Sequence, residues 1–232
     1  MTTIFITGAN KGLGYEAARR LVALGHTVLI GARDVHRGET AAAALGVRFV
    51  PLDVTDDASV AAAAADIEVH EGSVDGLVNN AGITGPRTAA GDLSATEARD
   101  VYDVNLFGVI RTTTAFLPLL RRSPDPAIVN VASGLGSLAL THDSSWVEST
   151  VVAALYTSSK AALIMLTTQY AKALTDIRVN AVDPGYTATD LNGNSGTQTV
   201  TEGTDAIVGL ATEGPGSASG RFVDRHGEIT WS

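Results

Sequence analysis

The sequence predicts an α/β fold: a doubly wound, mostly parallel sheet of about seven strands with helices on both faces. Two observations predict it. Short apolar runs alternate with helical patterns as far as about residue 182, and those runs are apolar almost throughout, as in strands buried on both faces. Right-handed crossovers make the doubly wound sheet the simplest topology for that order. The 232 residues, 45% of them hydrophobic, suit a single domain over residues 1–232.

The predicted elements follow from these runs in order along the chain. The predicted strands are Ile4–Ile6, Val28–Ile30, Val47–Leu52, Gly76–Asn79, Ile128–Ala132, Arg178–Val182 and a short Phe222–Val223. The predicted helices are Gly12–Leu24, Val35–Leu45, Ala58–Val69, Thr96–Leu120 and Leu155–Leu174. Ser94 and Glu97 are spaced as a capping box for the fourth helix. Two stretches, Gly134–Ala154 and Gly185–Thr199, break the alternation, and we expect both to overhang the ligand crevice at the carboxyl ends of the strands.

Composition excludes several classes of protein. The chain has no cysteine, so disulfides and thiolate metal sites are excluded and a reducing, cytoplasmic location is expected. A net charge of −9 without a basic stripe predicts no nucleic-acid partner. No apolar run approaches the roughly 18–20 residues that a membrane crossing needs. The first apolar run lacks a preceding basic region, which favours a strand over a signal peptide.

A glycine-rich turn, Thr7–Gly14, links the first predicted strand to the first helix. Gly8, Gly12 and Gly14 are spaced G-x-x-x-G-x-G, and glycine permits the positive φ angles and close backbone approach that a pyrophosphate requires. The helix that begins near Gly12 directs free N–H groups and a positive dipole end at the same anion. At this place in the chain the triplet predicts a dinucleotide-binding Rossmann fold. The alternative is a structural turn without a ligand.

Residues 31–34, after the second strand, bear on the choice of nicotinamide cofactor. An acid there binds the ribose 2′-OH of NAD, whereas an arginine meets the 2′-phosphate of NADP. Arg33 is placed for that phosphate, and Lys11 in the glycine turn would approach it too. Asp34 is the rival residue, and we interpret it as the N-cap of the Val35–Leu45 helix. NADP(H) is therefore favoured over NAD(H).

Polar or small residues also follow the third and fourth strands. The Asp53 carboxylate would accept a hydrogen bond from an adenine amino group, or else cap the entry to the next helix. In the segment Asn79–Gly82, Ala81 and Gly82 are small enough for a ribose to lie against the backbone. The two asparagines of that segment suit equally well a role in tying the sheet to the loop.

Tyr156 and Lys160 lie one turn apart in a strong helical pattern, so the phenol and the ammonium share one face. A free phenol has a pKa of about 10, and a nearby ammonium favours its phenolate, which makes the pair a candidate proton shuttle. Ser133 ends the fifth strand, where its hydroxyl would hydrogen-bond a substrate oxygen. The Tyr-x-x-x-Lys spacing is a modest signal alone; its place after a serine-bearing strand and a glycine turn strengthens it.

Together these motifs resemble the short-chain dehydrogenase/reductase family, from residue 7 to about residue 223. Thr7–Gly14 is similar to the family's cofactor turn, Asn79–Gly82 to its Asn-Asn-Ala-Gly motif, and Pro184–Gly185 to the turn that borders the nicotinamide. Residues 10–12, 32–34 and 189–224 resemble the carbonyl-reductase branch, which uses NADPH. The residues that match the family's catalytic set are Asn105, Ser133, Tyr156 and Lys160.

The resemblance implies reversible hydride transfer between a nicotinamide and a carbonyl carbon, with Tyr156 as general acid and base. It implies that Lys160 lowers the pKa of the tyrosine and holds the nicotinamide ribose, while Ser133 orients the substrate. Asn105 would hold a water that links Lys160 to solvent. The predicted cofactor contacts are Gly8, Asn10, Lys11, Gly12, Leu13, Gly14, Arg33, Asp53, Val54, Asn80, Ala81, Gly82, Tyr156, Lys160, Pro184, Gly185, Thr187 and Thr189.

The chain departs from the family pattern between Ser133 and Tyr156, where its span is longer than the family's shortest form. We expect this segment to form part of the substrate wall or to perturb a dimer contact between neighbouring helices. A homodimer or homotetramer is the family's habit. The predicted substrate contacts are Ser133, Leu135, Trp146, Tyr156 and Tyr186.

NADPH-dependent reduction of a ketone or aldehyde to an alcohol is the function that this sequence favours. An NAD(P)-dependent secondary-alcohol dehydrogenase and a non-catalytic NADP(H)-binding sensor stay as alternatives. A sensor has no need of Ser133, Tyr156 and Lys160 together. A serine hydrolase is disfavoured because Ser133 is not in a G-x-S-x-G turn, and the scattered histidines predict no metal site.

Overall fold

Eight strands form one sheet in the computed structural model, which describes residues 2–231. The strands are β1 (Thr3–Thr7), β2 (Thr27–Ala32), β3 (Arg48–Pro51), β4 (Gly76–Asn79), β5 (Ala127–Val131), β6 (Arg178–Val182), β7 (Phe222–Asp224) and β8 (Gly227–Glu228). Their order across the sheet is β3-β2-β1-β4-β5-β6-β7-β8. The strand order reverses between β1 and β4, because β2 and β3 lie on one side of β1 whereas β4 to β8 lie on the other. Ligands bind at this switch point in such folds.

The predicted doubly wound, mostly parallel sheet is confirmed, with one strand more than predicted. Every neighbouring pair from β3 to β7 is parallel. The extra strand, β8, pairs antiparallel with β7, with Val223 opposite Glu228. Because β8 has only two residues, both exposed, it has no apolar run for a sequence pattern to detect.

Helices cover both faces of the sheet, as predicted. They are α1 (Gly12–Ala23), α2 (Val35–Leu45), α3 (Asp57–His70), α4 (Ala95–Tyr102), α5 (Gly108–Leu120), α6 (Leu138–His142), α7 (Ala154–Ala173), α8 (Val200–Gly203) and α9 (Asp205–Thr212). The apolar faces of α1, α2 and α9 pack in one core, and those of α3 and α5 pack in the core on the opposite face. Within residues 2–231, no helix has both the length and the apolar character that a bilayer crossing requires.

The central strand β1 shows how the sheet divides these two cores. Ile4 and Ile6 point into the core that contains α1, and Phe5 between them points into the core that contains α3 and α5. Phe5 stacks on Phe116 of α5, with ring centroids 4.9 Å apart. All four side chains are fully buried, which stabilises the fold by about 1.5–3 kcal/mol for each.

The predicted helix Thr96–Leu120 is interrupted by a π-helical turn, Asp103–Phe107, between α4 and α5. The predicted capping box at its start is confirmed, because the Ser94 hydroxyl and the Glu97 side chain each accept a hydrogen bond from the other's backbone N–H. A π turn adds a residue to the helical repeat and re-aims the side chains around it. Asn105 lies in the middle of this turn and points into the protein.

Four buried polar side chains, which we call the amide ladder (Asn79, Thr112, Asn130 and Thr167), join β4 and β5 to α5 and α7. Asn79 accepts a hydrogen bond from Thr112 at 2.7 Å and donates to Asn130 at 2.9 Å. Asn130 donates to Thr167 at 2.9 Å. Asn79 therefore ties β4 to β5 and α5, not to the loop as the sequence suggested, and each such bond contributes about 0.5–1.5 kcal/mol.

Candidate active site

A cleft of about 680 Å³ opens at the carboxyl ends of the strands, beside the reversal between β1 and β4. Its walls come from the turns that follow β1, β2, β3 and β4, from the start of α7, and from residues 184 and 189–191. This volume is within the range of small-molecule and cofactor sites. The predicted overhang by Gly185–Thr199 is therefore found in part, through Thr189.

The turn after β1 has the backbone that an anion requires. Gly8 and Gly12 have φ angles of +65° and +57°, in the region that glycine favours. A Cβ atom on Gly8 would lie 2.9 Å from the Ala81 Cα, and one on Gly14 would lie 2.5 Å from the Asn80 Nδ2. These glycines let the turn pack directly against the segment after β4.

The N-terminus of α1 is open toward the same cleft. Lys11 is the N-cap residue, and its side chain makes no capping hydrogen bond in the part of the chain described. The first backbone N–H groups of the helix are thus left for another acceptor, and a phosphate is the usual one. Backbone, glycines and cleft volume together fit a dinucleotide.

Charged residues surround the far end of the cleft, around the turn after β2. Asp34 accepts a hydrogen bond from the Arg37 N–H at 3.0 Å, so its interpretation as the N-cap of α2 is confirmed. Arg33 is exposed and lines the cleft. Lys11 forms an ion pair with Asp190 across the cleft, with Nζ 3.1 Å from Oδ2 and both side chains more than half exposed.

Asp53 lies in the cleft wall but does not cap a helix. Its Oδ1 accepts hydrogen bonds from the Thr55 N–H at 3.0 Å and the Thr55 hydroxyl at 2.7 Å, whereas Asp56 caps α3. Burial raises the pKa of Asp53, but the Thr55 hydrogen bonds and the charges of Arg33 and Arg111 together bring it below its usual value. The helix-cap alternative from the sequence is therefore wrong, and Asp53 is a carboxylate facing the cleft.

Asn80 faces the backbone of the glycine turn with its side chain. Its Nδ2 donates to the carbonyl oxygens of Thr7 at 2.9 Å and Gly8 at 3.2 Å. The Thr7 hydroxyl in turn accepts from the Asn80 and Ala81 N–H groups, each at 3.0 Å. The turns after β1 and β4 are thus locked to each other. Asn80, Ala81 and Gly82 line the cleft as predicted cofactor contacts.

Tyr156 and Lys160 line the inner end of the cleft, and Ser133 lies beside Tyr156, outside the cleft wall. Tyr156 and Lys160 lie on the first two turns of α7, and the Lys160 Nζ is 5.7 Å from the centroid of the phenol ring. The Ser133 hydroxyl lies beside the phenol and acts to lower its pKa. Lys160 is almost fully buried and donates to the Val131 carbonyl at 2.7 Å. The three side chains that the sequence grouped are brought together.

Burial dominates the electrostatics of this group. It raises the pKa of Tyr156 to about 12, with the Ser133 hydroxyl acting in the opposite direction and the Asp183 charge acting in the same one. Burial also lowers the pKa of Lys160 to about 8, against the attraction of Asp183. Desolvation of the phenol is the largest of these effects, and the predicted lowering of the Tyr156 pKa by Lys160 stays a prediction.

Asn105 is fully buried, and its side chain is already bonded. Its Nδ2 donates to the Ile83 carbonyl and to the Ser159 hydroxyl, and its Oδ1 accepts from the Ile83 N–H, all at 2.9 Å. The residue therefore joins the segment after β4 to α7 beside Lys160. The water that the family resemblance assigns to Asn105 stays a prediction.

The turn after β6 contributes less to the cleft than predicted. Pro184 and Thr189 line it, and Gly185 has a φ of +68°, which a tight turn requires. Thr187 is buried, and its hydroxyl donates to the Pro184 carbonyl at 2.9 Å, so it holds the turn instead of facing the cleft. The position of Thr187 therefore does not support its predicted role as a cofactor contact.

The predicted substrate contacts lie outside the cleft walls, apart from Tyr156. Trp146 and Tyr186 are each about half exposed, and the Tyr186 hydroxyl is 2.6 Å from the Ser195 hydroxyl. Leu135 lies in the middle of the short turn Gly134–Gly136 that follows Ser133. These three stay predictions. The sequence reasoning missed Ile83, Thr84, Gly85, Val104 and Leu191, which line the cleft; their nearness to Asn79–Gly82, Asn105 and Thr189 was the available signal.

Comparisons with known proteins decide the family. The short chain dehydrogenase family model matches residues 2–199. The chain belongs to this family. The short-chain dehydrogenase anuI of Penicillium roqueforti is 37% identical over 95% of this chain and 93% of that protein. The (+)-neomenthol dehydrogenase of Capsicum annuum is 30% identical over 97% and 96%. The NADPH-bound carbonyl reductase from chicken fatty liver superposes with a TM-score of 0.89 at 28% identity, covering 100% of this chain and 99% of that one.

Membership makes this chain one of a family of oxidoreductases that bind a nicotinamide cofactor and act on small molecules. The glycine turn and the open N-terminus of α1 agree with that cofactor class. The cleft is therefore the candidate cofactor site, and its inner end, with Tyr156, is the candidate site of reaction.

Proposed function

We propose that this chain reduces a ketone or an aldehyde to an alcohol with NADPH. The observation that carries the proposal is that Tyr156 and Lys160 line the inner end of the cleft with Ser133 beside the phenol. A hydroxyl, a phenol and an ammonium grouped in this way supply the general acid that carbonyl reduction needs.

In this proposal each of these groups has one task. A nicotinamide, when bound in the cleft, would supply the hydride for the carbonyl carbon. Tyr156 donates its phenolic proton to the carbonyl oxygen, and the Ser133 hydroxyl orients that oxygen beside the phenol. Because burial raises the pKa of Tyr156 to about 12, the phenol is protonated throughout the physiological range and is ready to donate. Lys160 replaces the lost proton through its own ammonium, whose pKa of about 8 lies near neutrality.

The outer end of the cleft favours NADPH over NADH. Arg33 lines the cleft and makes no ion pair within residues 2–231, so its guanidinium is free for a 2′-phosphate. Asp34, the group that would accept from an NAD ribose, is engaged with the N-terminus of α2. The NADPH bound to the chicken carbonyl reductase, a structural relative over the whole chain, supports the same choice.

Relatives support ketones as the substrate class. The neomenthol dehydrogenases of Capsicum annuum and Arabidopsis thaliana and the carbonyl reductase are named for alcohol–carbonyl interconversion. The inner cleft of this chain is lined by Ile83, Val104 and Ala132 next to Tyr156. Apolar walls around one polar corner suit a carbonyl compound with an apolar frame.

A cofactor and substrate screen tests the proposal. Purified protein is mixed with NADPH or NADH and with cyclic ketones, acyclic ketones or aromatic aldehydes, and nicotinamide oxidation is followed by absorbance. We expect turnover of at least one ketone and a kcat/KM at least about tenfold higher with NADPH than with NADH, the value of one well-placed charge contact. Binding of NADPH without turnover of any carbonyl or alcohol would instead identify a sensor.

A further inference from the structure

Asp183 is a buried carboxylate that links the two turns on either side of Tyr156. It follows β6, is 8% exposed, and its Oδ1 accepts a hydrogen bond from the Gly185 N–H at 3.0 Å. Its other oxygen, Oδ2, lies against Gly134, the residue that follows Ser133. One side chain thus contacts both the turn that follows Ser133 and the turn that begins at Pro184.

A second carboxyl group meets Asp183 at Gly134. A Cβ atom on Gly134 would lie 2.8 Å from the Asp183 Oδ2 and 3.1 Å from the Glu148 Oε1, so both oxygens converge on this one backbone position. Glu148 belongs to the long segment between β5 and α7. Its Oε2 is buried and has no hydrogen-bond partner within the described part of the chain. The segment therefore places a second acid behind the Ser133 turn.

We infer that Asp183 is a positioning residue that clamps the Ser133 and Pro184 turns together, and that its negative charge holds the Tyr156 phenol in its proton-donating form. Glu148 sets the pH range in which Asp183 carries that charge. This inference rests on the proposed function, because the consequence of the Asp183 charge is that the site favours reduction over oxidation.

The local charges act in the direction that this role requires. Burial raises the pKa of Asp183 to about 6, backbone hydrogen bonds oppose the shift, and the charges of Glu148 and Asp224 add to it. Above that pH Asp183 is ionised, and its charge raises the pKa of Tyr156 and that of Lys160. The charged or titratable groups around Asp183 are Glu148, Tyr156, Lys160, Glu202, Asp224, Arg225 and His226.

The two directions of the reaction need opposite forms of the phenol. Reduction of a carbonyl uses the neutral phenol as a proton donor, whereas oxidation of an alcohol uses the phenolate as a proton acceptor. An ionised carboxylate beside Tyr156 disfavours the phenolate. Asp183 therefore suppresses oxidation at neutral pH, and removal of its charge favours oxidation.

Asp183→Asn and Glu148→Gln test this, with Asp176→Asn, an exposed acid, as the control. The asparagine keeps a carbonyl acceptor for one N–H but removes the charge. In Asp183→Asn we expect the pH profile of kcat for alcohol oxidation to move about one unit to lower pH. The ratio of oxidation to reduction at fixed pH should then rise about tenfold. An equal loss in both directions with unchanged pH profiles would show a merely structural role and overturn the inference.

A readout independent of turnover separates this inference from the proposed function. Carboxyl ¹³C NMR of aspartate-labelled protein should show one resonance that titrates near pH 6, absent in Asp183→Asn and shifted to lower pH in Glu148→Gln. An Asp183 midpoint unchanged by Glu148→Gln would overturn the role of Glu148, even in a chain that reduces ketones. Absence of turnover with a normal titration would refute the proposed function alone.

Discussion

The two ends of the cleft use charge in opposite ways. At the outer end Lys11, Arg33 and Asp190 are exposed, and the ion pair between Lys11 and Asp190 joins side chains that are more than half exposed. At the inner end Lys160 and Asp183 are at least nine-tenths buried. Burial there moves pKa values to about 12 for Tyr156, 8 for Lys160 and 6 for Asp183.

This difference separates recognition from chemistry. Exposed charges are accessible and partly screened, so they are suited to selecting an anionic ligand from solution. Buried charges interact strongly and titrate near neutrality, which proton transfer requires. Substitutions at the inner end should therefore change kcat, and substitutions at the outer end should change cofactor affinity.

The largest effect should come from Lys160→Met. Loss of the ammonium removes the proton source behind Tyr156, and we expect kcat to fall by about 10²–10⁴-fold, the usual worth of one general acid–base group. The protein should stay folded, because the variant also removes a buried charge. Lys172→Met, an exposed position on the same helix, is the matched control and should keep its activity. Equal kcat values for the two variants would contradict the assignment of proton transfer to the buried charges at the inner end.

Gly14→Ala should distort the backbone of the glycine turn at the outer end of the cleft. The added Cβ would lie 2.5 Å from the Asn80 Nδ2 and 2.8 Å from the Ala9 Cα, so the two locked turns must separate. We expect a stability loss of about 1–3 kcal/mol and a weaker Kd for NADPH. Gly209→Ala, in open space on α9, should instead stabilise the helix by about 0.5–1 kcal/mol. Thermal unfolding with and without NADPH measures both.

Arg33→Ala should change cofactor preference and leave kcat with saturating cofactor unchanged. Loss of one charge-assisted contact corresponds to about 1.5–3 kcal/mol, so we expect the KM for NADPH to rise by about 10–100-fold. The KM for NADH should stay the same, since NADH has no 2′-phosphate. Steady-state kinetics with both cofactors measure this, and a parallel loss for NADH would place Arg33 against a part that the two cofactors share.

Asp34→Ala should have the smallest effect. It removes the N-cap of α2, which we expect to cost about 1 kcal/mol of stability, measured by urea unfolding. Removal of its charge beside Arg33 should leave the KM for NADPH unchanged or lower it. A marked rise in the KM for NADH would show that Asp34 binds the ribose and would overturn its assignment as a cap.

Much of this fold could be predicted from the sequence because parallel strands buried on both faces leave continuous apolar runs. The glycine turn could be predicted equally well, since the spacing of its glycines reflects a backbone geometry that only glycine adopts freely. The two-residue strand β8 and the π turn around Asn105 were not, because both depend on tertiary contacts and neither changes the local residue pattern.

The site was predictable where function depends on spacing along the chain, and not where it depends on burial. Tyr156 and Lys160 share a helix, so their juxtaposition followed from a four-residue interval. Asp183 and Glu148 are far apart in sequence, and their convergence on Gly134 exists only in three dimensions. The effect of burial on the Tyr156 pKa could not be predicted for the same reason, because desolvation is a property of the packed protein.

Tyr156→Phe tests the central claim most directly, when NADPH binding and NADPH oxidation are measured on the same samples. The phenyl ring keeps the packing and loses only the hydroxyl. The account predicts an NADPH Kd within about twofold of the parent chain, together with a loss of ketone reduction of at least about 10²-fold. Substantial residual turnover, or loss of NADPH binding in parallel with activity, would contradict the assignment of chemistry to the inner end and recognition to the outer one.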